Sequence, residues 1–468
     1  MSNAHSSSAH PSPEDASPED ASPEGASPEG ATPEAIGASS TDTPERTAPG
    51  NSALSTSALS TSALSTSAPG TKARRPLLSP HHPLADVGTT IFAEMGALAT
   101  AHGAINLGQG APDADGPIEM IEAAAAALRS GPNQYAPATG IPELRQAIAH
   151  HQRHYYDLEV DPDAGVLVTV GCTEGIAASV LGICAPGDEV IVLEPSYDSY
   201  GAVAALAGAR LVPVTLRPPK WRLDGDALAA AVTDRTRALL INSPHNPTGR
   251  VLDDEERDAI AKVAIDADLV VITDEVYEHL CFDGHRHVPL ATMPGMFERT
   301  ITLSSAGKTF ALTGWKVGWA SGPPELIKAV RRTQQFLTYT SPGALQRGVV
   351  AGLAMGEAPI DAVRAGLDQQ RGLLLDVLAG VGFDVTPPEA GYFITADASW
   401  TGVADGRDFC LRLPEAVGVG AIPLGAFYVD PDRGGAMVRF AFCKQPDQIA
   451  EAGRRLSALT QGPLRSSS

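Results

Sequence analysis

At 468 residues the chain can bury a large core, enough for two domains of ordinary size. Its formal net charge of −21 argues against a nucleic-acid binder, no basic cluster appears along it, and the acidity suits solubility or salt tolerance. No signal-peptide profile opens the sequence and no apolar run approaches the roughly 20 residues that span a bilayer, so a cytoplasmic protein without a membrane partner is expected.

Residues 1–80 stand apart. A five-residue near-repeat on the theme Ala-Ser-Pro-Glu-x gives way to a second repeat, ALSTS, with almost no aromatic or branched apolar side chains. Such a composition cannot bury enough surface to offset its ordering entropy, so a disordered tail is expected here, either a docking arm or a solvated leader.

From Leu84 onward apolar runs alternate with helical spacing. The runs are VLVTV (166–170), EVIVLEP (189–195), ARLVPV (209–214), RALLINSP (237–244), LVVITDE (269–275), TITLSSA (300–306) and VGWASG (317–322). Helical patterns such as 173–184 and 253–267 lie between them. Runs apolar on both faces and separated by helices predict an α/β fold with a largely parallel seven-stranded sheet covered on two sides. The close spacing of the last two runs predicts one antiparallel member. Past Thr338 a long helical region (341–380) leads to the shorter strands FDVT, GYFITAD, GVGAIPL and MVRFAFC, which read as a smaller α+β domain. The expected division is a large domain over 116–340 and a small one over 81–115 with 341–468.

In open α/β sheets ligands bind beyond the carboxyl ends of the strands, and distinctive groups cluster there. VTVGCTEG sets a Gly-Cys-Thr turn at a helix start, where free amides of Cys172 and Thr173 can cradle a phosphate. EPSYDSY puts Tyr197 after a strand, where its ring can stack on a planar cofactor. NSPHNPTG holds Asn246 in a rigid polar loop, ready to donate to a phenolic oxygen. ITDEVYEHL ends a buried strand in Asp274, followed by Val276 and Tyr277. A carboxylate there needs a cation, and a protonated pyridine nitrogen at contact is worth roughly 4 kcal/mol at an effective dielectric of 20. SSAGKTFALTGWK places Lys308 after a strand, where its amine can condense with an aldehyde cofactor while Ser305 and Lys316 hold a phosphate. MVRFAFCK buries Arg439 among apolar neighbours, which is costly unless it meets a carboxylate, from a salt bridge or from a substrate. The five cysteines, Cys172, Cys184, Cys281, Cys410 and Cys443, show no CxxC spacing, so free thiols and no metal site are expected.

With these motifs, NLGQGAPDADGP (106–117) and NQYAPATGIPELRQAIA (133–149), residues 84–460 resemble the fold-type I, pyridoxal-phosphate-dependent aminotransferases of class I. The likeness is greatest to the kynurenine, glutamine and methionine aminotransferases and to the actinobacterial N-succinyldiaminopimelate aminotransferases. The resemblance implies that Lys308 carries the cofactor and later moves the substrate proton, and that Asp274 pairs with the ring nitrogen. It implies that Asn246 and Tyr277 bond the phenolic oxygen, Tyr197 stacks on the ring, and Cys172, Thr173, Ser305 and Lys316 hold the phosphate. Cys172 is expected to act through its backbone amide only. Tyr135 would reach the phosphate of a second subunit in a homodimer. Arg439, aided by the Gly110 backbone and Asn246, would bind the substrate carboxylate. Amino-acid donors and 2-oxo-acid acceptors such as 2-oxoglutarate follow; the particular pair does not.

Two rivals stand beside this reading. A β-lyase on the same scaffold would use the same Lys308 and Asp274. A transcriptional regulator with an aminotransferase-like domain would need a basic DNA-binding segment, whose place here is taken by an acidic, repetitive one.

Overall fold

A computed structural model describes residues 82–85, 88–462 and 464, so the expected tail over 1–80 lies outside the described residues. Among the described residues twelve strands are formed: β1 (Ile105–Asn106), β2 (Val166–Val170), β3 (Glu189–Glu194), β4 (Arg210–Thr215), β5 (Thr236–Asn242), β6 (Val270–Asp274), β7 (Thr300–Ser305), β8 (Val317–Ser321), β9 (Phe393–Asp397), β10 (Val419–Gly420), β11 (Ile422–Pro423) and β12 (Met437–Ala441).

All seven long apolar runs join one sheet, in the order β2-β8-β7-β6-β5-β3-β4. Val190, Ile191, Val192, Leu239, Leu240, Val271 and Ile272 are buried on both faces of its centre, as a sheet covered by helices on two sides requires. β8 runs antiparallel to both neighbours, β2 and β7, and the others are parallel. The link from Ser305 to Val317 holds only the four-residue helix Ala306–Thr309 and one 3-10 turn, too short a helix to cover the sheet as a parallel crossover does, and the chain reverses. Parallelism brings the ends of β2, β3, β5, β6 and β7 to one edge, where Gly171, Asn242, Asp274 and Ser305 follow or finish their strands.

Helices hold this edge in place. The helix Gly171–Ile183 starts directly at the end of β2, and Gly171 sits at φ 72°, a left-handed turn that disfavours side chains. Gly318 of β8 packs so tightly behind it that a Cβ there would lie 2.6 Å from the Gly171 carbonyl carbon. The expected helix over 253–267 forms as Asp254–Asp266, opened by a reciprocal cap between Asp253 and Glu256.

The C-terminal part departs from expectation in three places. The helical region over 341–380 is two helices, Gly343–Ala354 and Ala358–Val381, separated by Gly356 at φ 71°. FDVT contributes only an isolated bridge, Val385 to Ala396, because Pro387 and Pro388 follow at once and cannot extend a ladder. GVGAIPL divides: β10 pairs in parallel with β1, while β11 joins the antiparallel sheet β11-β12-β9. Arg439 thus lies in the central strand of a three-stranded sheet, opposite Ile422 and Thr395.

Candidate active site

A cavity of about 370 Å³ opens at the carboxyl edge of the large sheet, and β12 closes one wall. Gly110, Cys172, Thr173, Tyr197, Asn246, Asp274, Tyr277, Ser305, Lys308, Lys316 and Arg439 all line it. Of the residues singled out in the sequence only Tyr135 is elsewhere. It is 85% exposed and packs edge-on against Tyr339, with ring centroids 5.7 Å apart.

At the cradle, the first turn of Gly171–Ile183 faces Lys316, whose Nζ would be 3.1 Å from a Cβ at Gly171. Lys316 itself adopts φ 54°, and this tight return brings its cation back to the amides of that turn. Ser305 ends β7, and the short helix Ala306–Thr309 presents Lys308, with Nζ 5.7 Å from the Tyr392 ring centroid.

Asp274 is buried at 6% exposure and has no cationic hydrogen-bond partner. Its Oδ2 accepts from the Tyr200 hydroxyl at 2.7 Å. Its Oδ1 accepts from the Cys172 thiol at 3.4 Å and from Val276 N–H at 3.4 Å. Burial raises the Asp274 carboxyl above the usual carboxylate range, and the hydrogen bonds from Tyr200, Cys172 and Val276 pull it back down. Burial pushes the Tyr200 hydroxyl and Cys172 thiol well up, so both remain protonated donors. The expectation that Cys172 acts through its backbone alone is therefore corrected: its side chain touches the carboxylate. Asn242 supports the same spot, donating from Nδ2 to the Asp274 carbonyl (2.8 Å) and accepting from Asn246 N–H (2.7 Å).

Arg439 is 1% exposed, and its partners are neutral. Nη1 donates to Asn246 Oδ1 at 2.9 Å, Nη2 donates to the Gly108 carbonyl at 3.0 Å, and Nε has no protein partner. Phe393, Phe427 and Phe92 surround the guanidinium at 3.8, 4.8 and 5.3 Å from their ring centroids. Burial pushes the guanidinium down to about 10, and it is still cationic at neutral pH. Gly110 leaves no room for a side chain, since a Cβ would sit 2.5 Å from the Phe393 ring; its carbonyl is taken by the Tyr392 hydroxyl at 2.8 Å.

Sequence reasoning missed Tyr200, Asn242, Tyr392 and the aromatic collar. Tyr200 and Asn242 lay inside quoted motifs: Tyr200 one helical turn after Tyr197, Asn242 as the last residue of β5. The collar carried no local signal, because Phe92, Phe393 and Phe427 come from distant segments.

A second polar cluster lies apart from this cavity. His151 and His279 approach within 2.7 Å through their Nε2 atoms, and Glu278 accepts from Tyr156 and Ser304. One ligand atom from each of His151, Glu278 and His279 lies within 4.8 Å of the others, and each of the three already has a hydrogen-bond partner among the described residues, so the cluster is a buried polar network outside the cavity.

The residue pattern of the family "Aminotransferase class I and II" matches residues 102–456. The chain belongs to this family. Over 391 residues the aminotransferase is 52% identical to a protein of Mycobacterium tuberculosis (strain ATCC 25618 / H37Rv) named as a probable N-succinyldiaminopimelate aminotransferase, covering 81% of this chain and 98% of that one. It is 37% identical over 382 residues to the methionine aminotransferase of Escherichia coli (strain K12), covering 82% and 99%. The solved structure of N-succinyldiaminopimelate aminotransferase from Mycobacterium tuberculosis superposes with a TM-score of 0.79 over 81% of this chain and 99% of that one. The eliminating alternative gains no support from these relatives.

This aminotransferase is pyridoxal-phosphate dependent. Its residues fit that group. A buried carboxylate held only by neutral donors suits a cationic ring, and a cation beside the free amides of a glycine-opened helix suits a phosphate. Among the described residues no helix is long and apolar enough to cross a membrane.

Proposed function

We propose that this aminotransferase exchanges an amino group between glutamate with 2-oxoglutarate and an N-succinylated diaminopimelate with its 2-oxo counterpart. The observation that carries this is the 52% identity along almost the whole length of the Mycobacterium tuberculosis relative. A second reading, an apolar donor such as methionine or an aromatic amino acid, is favoured by the lining. Once Lys308, Lys316 and Arg439 are assigned, the remaining wall near the substrate is aromatic (Phe92, Tyr197, Tyr392, Phe393). A donor-by-acceptor activity matrix on purified enzyme, including the succinylated substrate, separates the two. A rate with the succinylated donor no higher than with methionine or phenylalanine would refute the first.

The roles follow from chemistry at each atom. Arg439 takes the substrate α-carboxylate, because only two of its five guanidinium N–H donors are used, by Asn246 Oδ1 and the Gly108 carbonyl, and its partners leave the charge uncompensated. The Cys172 and Thr173 amides, Ser305 and Lys316 would hold the phosphate, Asp274 would pair with the ring nitrogen, Asn246 and Tyr277 would serve the phenolic oxygen, and Tyr197 and Val276 would pack on the ring. The cofactor, when bound, supplies an electron-withdrawing ring that takes up the electron pair left on the substrate α-carbon. Lys308 would hold the cofactor, and its free amine is the base placed to remove the substrate α-proton. Tyr277 and Tyr392 meet edge-on at 5.3 Å, and the Tyr392 ring lies 5.7 Å from Lys308 Nζ, so the two rings form one wall beside the amine.

The active unit is read as a homodimer, with Tyr135 entering the neighbouring site. Supporting this, Tyr135, Phe336 (84% exposed) and Tyr339 leave large apolar side chains in solvent. Light scattering giving a monomer at full activity would remove it. Five free thiols support a reducing cytoplasm. The division into 116–340 and 81–115 with 341–468 is retained as the reading of domain organisation.

A further inference from the structure

Tyr200 does not line the cavity. It sits beneath the floor at 2% exposure, in the first turn of the helix Ser199–Leu206, and its hydroxyl reaches Asp274 Oδ2 at 2.7 Å. One helical turn earlier Tyr197 does line the cavity, and the two rings meet edge-on at 5.9 Å and 79°. A single short segment therefore supplies both an aromatic wall and a proton donor behind the carboxylate.

The choice of donor matters. A lysine or arginine behind Asp274 would fix the carboxylate but also cancel the charge offered to the cavity. A phenol fixes it and leaves the charge intact. Desolvation works against the anion here, so at least one strong donor is needed to keep it. Of the other two contacts on the carboxylate, Val276 N–H at 3.4 Å is long and the Cys172 thiol at 3.4 Å is a weak donor, which leaves Tyr200 as the strong bond.

We propose that Tyr200 is a positioning residue for the transamination chemistry: its hydroxyl holds Asp274 ionised and in one rotamer, so that the carboxylate presents an undiminished negative charge to the cofactor ring nitrogen. Its action is wholly indirect, through Asp274. The inference rests on the site reading above, and it adds a residue outside the cavity to the machinery.

Tyr200→Phe removes one oxygen and keeps the ring packing. Hydrogen bonds to charged groups are worth about 1.5–3 kcal/mol, so the affinity of the apoenzyme for pyridoxal phosphate should fall roughly tenfold or more, read by fluorescence titration. In the reconstituted enzyme the pH midpoint of the cofactor's visible band should move up by about one unit, since a less protonated ring withdraws fewer electrons from the Lys308 nitrogen. The turnover number should drop about tenfold with KM for the donor unchanged. Tyr200→His, which restores an N–H donor, should recover part of the spectral midpoint. A Tyr200→Phe enzyme that binds cofactor and titrates like wild type would overturn the proposal. So would equal losses in the Phe and His variants that track a fall in Tm, which would reduce Tyr200 to packing. Wild-type enzyme that takes no borohydride-fixable cofactor at Lys308 would sink the site reading itself, a separate outcome from either.

Discussion

The two buried charges of the active site are held in opposite ways. Asp274, at the end of a parallel strand in the large sheet, is gripped by hydrogen bonds from Tyr200, Cys172 and Val276. Arg439, in the middle of the small antiparallel sheet, is held largely by aromatic faces and uses only two of its five N–H donors on neutral acceptors. The difference matches what each must meet. A permanent partner, the cofactor ring, calls for a fixed and undiminished charge. A substrate that comes and goes calls for a desolvated cation whose attraction is strong but incompletely satisfied.

The largest effect should come from the group lying between them. Lys308→Ala leaves both charges in place but removes the base, so kcat/KM should fall by about 10⁴-fold or more, measured as the rate of a single half-reaction. A near-normal half-reaction would show that another group moves the proton.

The charges themselves should separate by kinetic signature. Asp274→Asn removes an interaction worth roughly 4 kcal/mol at contact, so kcat should fall about 10³-fold with little change in KM. Arg439→Gln should instead raise KM, lowering kcat/KM by roughly 10²-fold or more, as expected for truncating one partner of a buried pair. Identical kinetic patterns for the two variants would erase the distinction drawn here.

A pH test addresses the loop that joins the two regions. His245 precedes Asn246, its Nδ1 lies 2.7 Å from Thr248 Oγ1, and burial pushes its imidazole down to about 4. In the unfolded chain it protonates near 6.5, so between 6.5 and 4 the unfolded state binds more protons. Stability is full above that window and is lost as pH falls through it, by about 3 kcal/mol from this residue alone. His245→Asn should flatten that part of the Tm-against-pH curve; an unchanged curve would refute the assignment.

The smallest change probes the collar. Phe92 is the most distant of the three rings on Arg439, so Phe92→Leu should raise KM for the carboxylate substrate only about three-fold, in keeping with a partly redundant cation–π contact.

Much of this was readable from local pattern. The seven long strands announced themselves as apolar runs separated by helical spacing, and Lys308, Asp274 and Asn246 stood at or just past strand ends, where a parallel sheet gathers its ligand groups. The shorter C-terminal strands were less legible. A two-residue strand such as Val419–Gly420 carries no period, and its pairing with Ile105–Asn106 is a contact across more than half the chain. The Cys172 side chain was misread for a related reason: the motif shows its place in the turn but not the carboxylate approaching from β6.

The sequence by itself determined the sheet, the edge at which the cavity forms and the chemical inventory around it, because hydrophobic period and strand-end placement are local properties. Only the tertiary structure decided how each charge is held. The hydroxyl behind Asp274 and the rings around Arg439 come from different helices and strands, and the energy of a buried charge depends on those neighbours in space rather than in sequence.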